Sequence, residues 1–189
     1  MGEADGSEKW IDAGLTELIR GGVDAVRVEV LAERMGVTKG GFYRRFKDRR
    51  ALLDAMLDAW AEGRIAVIEQ QTALDGETPE GRIKQVIKLY SERQNPEGIA
   101  IELAIRQWAR ADEGAREAAA RVDAGRMKAV TRLYTQLGYP PATAEARAMM
   151  FYAFIFGESL LFLGHSQRRR AALVAACTEA LAAPAGSLR

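Results

Sequence analysis

The sequence predicts an all-α protein, and three observations lead to this fold class. Apolar residues recur at three- and four-residue intervals along most of the chain, as on the buried face of a helix. Alanine-rich runs are frequent, and the strict alternation of a half-buried strand is rare. Hydrophobic residues make up 48% of the 189 residues, which is enough for a substantial core. We predict nine helices, over Trp10–Arg20, Val28–Met35, a short segment that begins at Thr38, Asp48–Gln71, Pro79–Arg93, Gly98–Ala111, Ala115–Leu137, Thr143–Leu163 and Gln167–Ala183.

The most informative segment predicts two helices joined by a tight turn at Gly36. Glycine suits the position just after a helix, because it adopts a left-handed backbone without steric cost. We expect Val37 to turn inward after this glycine and Thr38 to cap the second helix. Phe42 and Phe46 lie four residues apart, so they share one helix face and would pack, together with Val37, on the first helix.

The opposite face of the second helix is basic and aromatic. Residues 38–50 contain six basic side chains and one acidic side chain, namely Lys39, Arg44, Arg45, Lys47, Arg49, Arg50 and Asp48. The whole chain has 27 basic and 26 acidic residues, so this excess is local, as in a phosphate-binding surface. A solvated charge run, or two helices that simply meet at a glycine, is the alternative. Neither alternative accounts for Tyr43 and two glycines on a face that is backed by paired phenyl rings.

The segment GVTKGGFYRRFKDRRALLDAML resembles the helix-turn-helix of the tetracycline-repressor (TetR) family of bacterial transcriptional regulators. The residues that carry this resemblance are Gly36, Val37, Thr38, Phe42, Tyr43, Phe46, Lys47, Leu52 and Leu53. The resemblance implies a helix-turn-helix DNA-binding domain over residues 1–50 and a larger helical domain for ligand binding and dimerisation over residues 51–189. It also implies the function of a sequence-specific regulator, expected to be a dimeric repressor that a small hydrophobic ligand releases from its DNA operator.

The resemblance also assigns DNA contacts to matching residues. These expected contacts are Arg27, Thr38, Lys39, Gly40, Gly41, Tyr43, Arg44, Arg45 and Lys47. Lys39 and Arg44 would read base edges, and Lys47 would reach a phosphate near the start of the following helix. The chain departs from the family pattern at the start of the first motif helix, where Thr or Ser is common. Glu29 is unfavourable there next to DNA, and we expect Arg27 to supply the phosphate contact instead.

The segment Ala142–Leu163 is apolar on nearly every side, so it must be covered on every side. TetR-like proteins pair their last two helices in a dimer, and the alanines of the following helix would permit close contact between helices. We therefore expect a homodimer through the last two helices, with a deeply buried central helix of a monomer as the alternative.

Aromatic and aliphatic side chains of the middle helices are candidates for an effector pocket, which the resemblance places in the larger domain. The candidates are Tyr90, Ile101, Ile105, Trp108, Phe151, Phe154 and Glu158. Ordinary core packing is the alternative for each aromatic residue. Glu158 needs a partner in its apolar surroundings, and it would either orient a ligand or pair with an arginine across the dimer.

Other function classes find little support in the sequence. The single His165 provides no histidine pair for zinc and no catalytic triad, and no glycine-rich phosphate motif is present, so we expect neither an enzyme nor a cofactor. No uncharged apolar run of about 18 residues is present, which argues against a membrane partner. One cysteine suits a cytoplasmic protein. The alternative function is a helical small-molecule-binding or interaction module that does not bind DNA.

Overall fold

The computed structural model describes residues 4–73, 75–91, 96–161 and 164–186. Within these residues the fold is all-α, as predicted. Nine α-helices are present there, α1 (Ala4–Gly21), α2 (Val28–Met35), α3 (Lys39–Tyr43), α4 (Arg49–Thr72), α5 (Pro79–Ser91), α6 (Pro96–Trp108), α7 (Glu113–Gln136), α8 (Pro141–Leu160) and α9 (Gln167–Ala182), with a 3-10 turn at Val23–Ala25. Helix α1 begins at Ala4 rather than at Trp10. The predicted helix ends at Arg93 and Leu163 lie outside the described residues.

The chain forms two compact units. Unit 1 consists of Met1–Arg64 and Pro96–Val122, and unit 2 consists of Ile65–Asn95 and Asp123–Arg189. The division passes through helices α4 and α7, so each of these helices contributes residues to both units. The functional boundary that we expect at residue 50 is a different division, and it stays a prediction.

Side-chain caps define where four helices begin. The Asp48 carboxylate accepts a hydrogen bond from the Ala51 amide at 2.9 Å before α4, and the Asp112 carboxylate accepts one from the Ala115 amide at 2.9 Å before α7. The hydroxyls of Thr78 and Ser166 do the same for α5 and α9. Each cap satisfies an amide that has no partner inside its helix, a contribution of about 1 kcal/mol.

In unit 1, helix α1 is fastened to the helix-turn-helix by an aromatic contact and a buried charge. The rings of Trp10 and Phe42 meet edge to face with centroids 5.3 Å apart. Glu17 is 3% exposed and forms ion pairs with Arg20 and with Arg34 of α2. Because a buried carboxylate needs such partners, this arrangement fixes α1 against α2.

In unit 2, α5 packs against both α8 and α9 around a shared apolar core. The core includes the fully buried Ile83, Leu133 and Phe151. The end of α9 is held by hydrogen bonds to its backbone, from the Tyr134 hydroxyl to the Leu181 carbonyl at 2.9 Å and from Arg147 to the carbonyls of Ala180 and Leu181 at 2.7 and 3.2 Å. Burial raises the pKa of Tyr134 to about 12, so this hydroxyl keeps its proton at neutral pH.

Helix α8 is covered on one side only within the chain. Phe151, Tyr152 and Ile155 are buried, whereas Met149 and Met150 are 68% and 52% exposed. Exposed apolar residues of α8 include Ala146, Met149, Met150 and Ala153, which recur at three- and four-residue steps and form one stripe, and Leu160 is exposed at the end of the helix. A single copy of the chain thus leaves an apolar surface open to solvent.

Nowhere in the described part of the chain does a helix combine the length and apolarity that a membrane crossing requires.

Candidate nucleic-acid interface

The turn after α2 has the geometry that the sequence predicts at Gly36. Its backbone is left-handed, with φ 65° and ψ 30°, and its amide bonds to the Glu33 carbonyl at 3.1 Å. The prediction for Val37 is wrong, because its side chain is 45% exposed rather than turned inward. Its amide turns back to close the end of α2 on the Ala32 carbonyl at 3.0 Å, whereas Phe42 of α3 is fully buried.

Thr38 stands at the start of α3, but its hydroxyl forms no cap. Its backbone is extended, with φ −86° and ψ 153°, as a residue before a helix requires. The carbonyl accepts the Gly41 amide at 2.9 Å, while the side chain makes no capping hydrogen bond. The predicted capping bond is therefore absent, and the exposed Thr38 hydroxyl does not bond to a backbone amide at the start of α3.

The two faces of α3 separate as predicted. Phe42 is fully buried and Phe46 is 8% exposed, and their rings stack with centroids 5.5 Å apart. Tyr43 is 59% exposed, with its ring edge-on to Phe42 at 5.2 Å. Phenyl rings thus brace the helix from behind, and a tyrosine stands on its outer face.

The structure brings the predicted DNA contacts together within unit 1. Of the nine, eight are exposed and one, Gly41, is half-buried; the exposed ones are Arg27, Thr38, Lys39, Gly40, Tyr43, Arg44, Arg45 and Lys47. Exposure is the minimum that a DNA contact requires, and it does not establish the contact. The partners of each basic side chain distinguish these residues further.

Lys39 and Arg45 both have partners inside the chain. Lys39 Nζ lies 3.0 Å from Glu29 Oε1, an ion pair that joins the first turn of α2 to the start of α3. The hydrogen bond from Lys39 holds the pKa of Glu29 below its usual range. The guanidinium of Arg45 lies against Gly6 of α1, where an added Cβ would overlap it. Arg45 is therefore directed toward α1.

Arg49 and Arg50, which the sequence places in the same basic cluster, serve the fold instead. Arg49 Nε donates to the Val26 carbonyl at 2.6 Å, and its Nη2 donates to the carbonyl of Val23. Arg50 pairs with Asp54 at 2.8 Å and with Asp112 at 2.6 Å. These arginines attach the start of α4 to the 3-10 turn and to the segment before α7.

Asp112 gathers several donors at that point. Burial alone would raise its pKa, but the Ala115 amide and the Arg50 guanidinium, helped by the Trp108 side chain, lower it overall. Sequence reasoning missed this residue, because its partner Arg50 lies 62 residues away and becomes a neighbour only in the folded chain. The carboxylate of Asp112 thus stays charged and holds both Arg50 and the first turn of α7.

Three of the predicted DNA-contacting residues have basic side chains with no partner among the described residues. Within that part of the chain, no hydrogen bond or ion pair engages the side chains of Arg27, Arg44 or Lys47. Arg44 follows directly after α3, and Lys47 lies two residues before α4. The basic surface available to an outside anion is therefore smaller than the count of six suggests.

The predicted pocket residues are divided between the two units. Ile101, Ile105 and Trp108 belong to unit 1, where Ile105 is fully buried and Trp108 bonds to Asp112. Tyr90, Phe151, Phe154 and Glu158 belong to unit 2. Phe151 lies fully buried in the core, and Tyr90 is partly buried against it.

Phe154 and Glu158 do line a common cavity of about 410 Å³ between α8 and α9. Its walls include Val174 and Cys177, and Glu158 pairs within the same chain with Arg170. Across the described ranges, no group of three or more histidine, cysteine, aspartate or glutamate side chains is placed to hold a metal ion. His165 is exposed beside this cavity.

Part of the chain is similar to known proteins. Residues 11–56 match the family model described as bacterial regulatory proteins, tetR family. A curated relative, an uncharacterized HTH-type transcriptional regulator of Mycobacterium bovis, is 31% identical over 84 residues. That match covers 44% of this chain and 42% of the relative, so it spans less than half of either protein.

Solved structures extend the likeness of the fold to nearly the whole chain. A bacterial regulatory protein in the tetR family from Rhodococcus has a TM-score of 0.67 at 17% identity, with 94% of this chain and 95% of that one covered. The transcriptional regulator FadR from Bacillus subtilis, solved in complex with stearoyl-CoA, has a TM-score of 0.67 at 19% identity, covering 93% and 97%. At such identities the likeness establishes the fold.

Proposed function

We propose that this chain, whose residues 11–56 match the tetR family of bacterial regulatory proteins, is a member of that family and a sequence-specific DNA-binding transcriptional regulator. Helix α3 would enter the major groove, with Lys39 and Arg44 on base edges and Tyr43 and Lys47 on the backbone. One observation carries this proposal. The outer face of α3 is exposed and basic, while the phenyl rings behind it are buried in the core of unit 1.

Selection of duplexes from a random library by the purified chain tests this proposal. We expect an enriched sequence that the chain binds at least about 10³-fold more tightly than a shuffled duplex of the same composition. The double variant Arg44→Ala/Lys47→Ala should lose this binding. Its matched control, Lys128→Ala/Arg132→Ala, removes the same charge from exposed positions of α7 and should retain it. Equal binding to all duplexes would contradict sequence specificity, and no binding to any duplex would favour a helical small-molecule-binding or interaction module instead.

We further propose that the chain acts as a homodimer through α8 and α9. Its support is the apolar stripe on α8, which continues with the exposed Leu161 and Leu173. A two-fold dimer would offer two α3 helices to successive major grooves, about 34 Å apart. Sedimentation equilibrium at micromolar concentration tests the dimer, and a monomer there contradicts it.

The proposed mode of control is repression in the cytoplasm that a small hydrophobic effector relieves. The cavity between α8 and α9, with Phe154 on its wall, supports such a ligand, and stearoyl-CoA in the FadR structure is an example of its class. Helix α4, which belongs to both units, is the element through which we expect the ligand to act. A thermal-shift screen of hydrophobic molecules, stearoyl-CoA among them, tests effector binding, and mobility shifts with each hit test release of DNA.

A further inference from the structure

Glu29 brings a negative charge to the surface that is proposed to meet DNA. It lies in the first turn of α2, and its carboxylate is 3.0 Å from the ammonium of Lys39, the first residue of α3. The side chains are 61% and 56% exposed, so the pair stands in solvent on the outside of the motif. An exposed ion pair adds little to folding, and stability alone therefore gives no strong reason for it.

The pair limits what Lys39 can bind next. An ammonium group has three donors, and Glu29 takes one of them. A second acceptor must then approach the ammonium within a few ångströms of the carboxylate. A phosphate carries a full negative charge and is repelled there, whereas the guanine O6 and N7 atoms are neutral acceptors and are not.

We propose that Glu29 is a specificity-determining residue, because it opposes contact between Lys39 and phosphates while leaving Lys39 able to donate to a base edge. Binding to arbitrary DNA relies on phosphate contacts and is weakened, whereas binding to the operator is little affected. This inference rests on the proposed function, since it takes α3 as the element that reads the groove.

Glu29→Gln tests the inference against a matched control, Glu33→Gln. Glu33 lies one turn further along α2, is exposed, and has no ion pair within the described residues, so its variant changes net charge by the same amount. Affinities are measured on the selected duplex and on its shuffled counterpart. We expect Glu29→Gln to tighten binding to the shuffled duplex about 3- to 10-fold and to the selected duplex less than about 2-fold. Glu33→Gln should change both affinities by the same small factor.

Salt dependence supplies a second readout. On the shuffled duplex, one additional phosphate contact steepens the slope of log K against log salt by about 0.9. We expect this steepening for Glu29→Gln and not for Glu33→Gln. In a Lys39→Gln background, Glu29→Gln should produce neither effect, because no ammonium remains for the phosphate.

The outcomes separate this inference from the proposed function. A wild-type chain that selects no sequence contradicts the proposed function, and the inference about Glu29, which rests on that function, fails with it. A wild-type chain that selects a sequence, while Glu29→Gln and Glu33→Gln behave alike, contradicts the role of Glu29 alone. An effect of Glu29→Gln that persists without Lys39 contradicts that role as well.

Discussion

Two surfaces of this chain expose side chains that its own core does not cover, and they differ in chemistry. The surface formed by α3 and the residues directly after it exposes Tyr43, Arg44 and Lys47. The α8–α9 surface is apolar instead, and it holds five of the eight large hydrophobic residues exposed in the described part of the chain. A charged surface suits an anionic partner and responds to salt, whereas an apolar surface suits a protein partner and responds to added charge.

The two surfaces also differ in what supports them. Helix α3 has five residues, two of them glycines, so its own hydrogen bonds stabilise it poorly. It depends on the phenyl ring of Phe42 behind it. Helix α8 has 20 residues and is anchored along its length by core side chains. Substitution of the buried phenyl ring of α3 should therefore lower the stability of the fold, whereas substitutions on the exposed surface of α8 should weaken only dimerisation.

The largest effect is expected from Phe42→Ala. Removing a fully buried phenyl ring leaves a cavity and lowers the free energy of unfolding by about 3–5 kcal/mol, which urea denaturation measures. Tyr43→Ala is the control from the other side of the same helix. It should change stability by less than about 0.5 kcal/mol while lowering affinity for the selected duplex. Comparable stability losses in both variants would show that α3 does not have two distinct faces.

The apolar surface is tested by Met149→Glu/Met150→Glu. Carboxylates buried in the proposed interface without partners should raise the dimer dissociation constant at least about 100-fold, as sedimentation velocity would detect. Urea denaturation of the monomer should change little, because both methionines are exposed in the single chain. Gln136→Glu, at an exposed position of α7, is the control and should leave the association unchanged. A variant that stays dimeric would place the interface elsewhere.

How far the sequence predicts each region follows from the distance between partners along the chain. The turn at Gly36 and the buried face of Phe42 depend on residues within one or two turns, so spacing predicts them. The role of Arg49 depends on carbonyls 23 and 26 residues away, and that of Arg50 on a carboxylate 62 residues away. Charge counting assigns both arginines to the DNA surface because nothing local indicates these partners. The prediction for Val37 is also local and is nevertheless wrong, because its amide closes the end of α2 while its side chain stays exposed.

The pocket is harder to predict for the same reason. Apolar residues at helical spacing identify a buried face without identifying what it faces. Phe151 and Phe154 lie on the same helix three residues apart, yet one is a core residue and the other lines a cavity. Only the packing of α8 against its neighbours distinguishes them.

Within the basic surface, Arg44→Ala and Lys47→Ala should have different effects on DNA binding, the first on sequence preference and the second on affinity for every duplex. If Arg44 donates two hydrogen bonds to a guanine, its loss removes about 1–3 kcal/mol of discrimination and relaxes the preference for the selected sequence. Lys47→Ala should weaken binding to selected and shuffled duplexes alike and lower the salt slope by about 0.9. Titrations on both duplexes measure the difference. Equal losses on both duplexes for Arg44→Ala would mean that Arg44 contacts the backbone rather than a base.

The smallest effect concerns Gly41, a glycine that the fold does not require. Its φ is not positive, and a Cβ added there meets no other atom within 4 Å. Gly41→Ala should therefore raise the free energy of unfolding by up to about 1 kcal/mol. Gly63→Ala, at an equally open position in α4, is the matched control and should stabilise the chain similarly.

Gly41→Ala and Gly63→Ala should differ only in their affinity for DNA. If bare backbone at α3 lets the helix sit close to the duplex, the added methyl group of Gly41→Ala separates them and weakens affinity several-fold, while Gly63→Ala binds as the wild type does. Stability and affinity would then move in opposite directions at Gly41 alone. Such a result would mean that Gly41 is needed for binding to DNA, because the folded chain itself is more stable with alanine at this position. Unchanged affinity in both variants would mean that α3 does not approach the duplex at this residue.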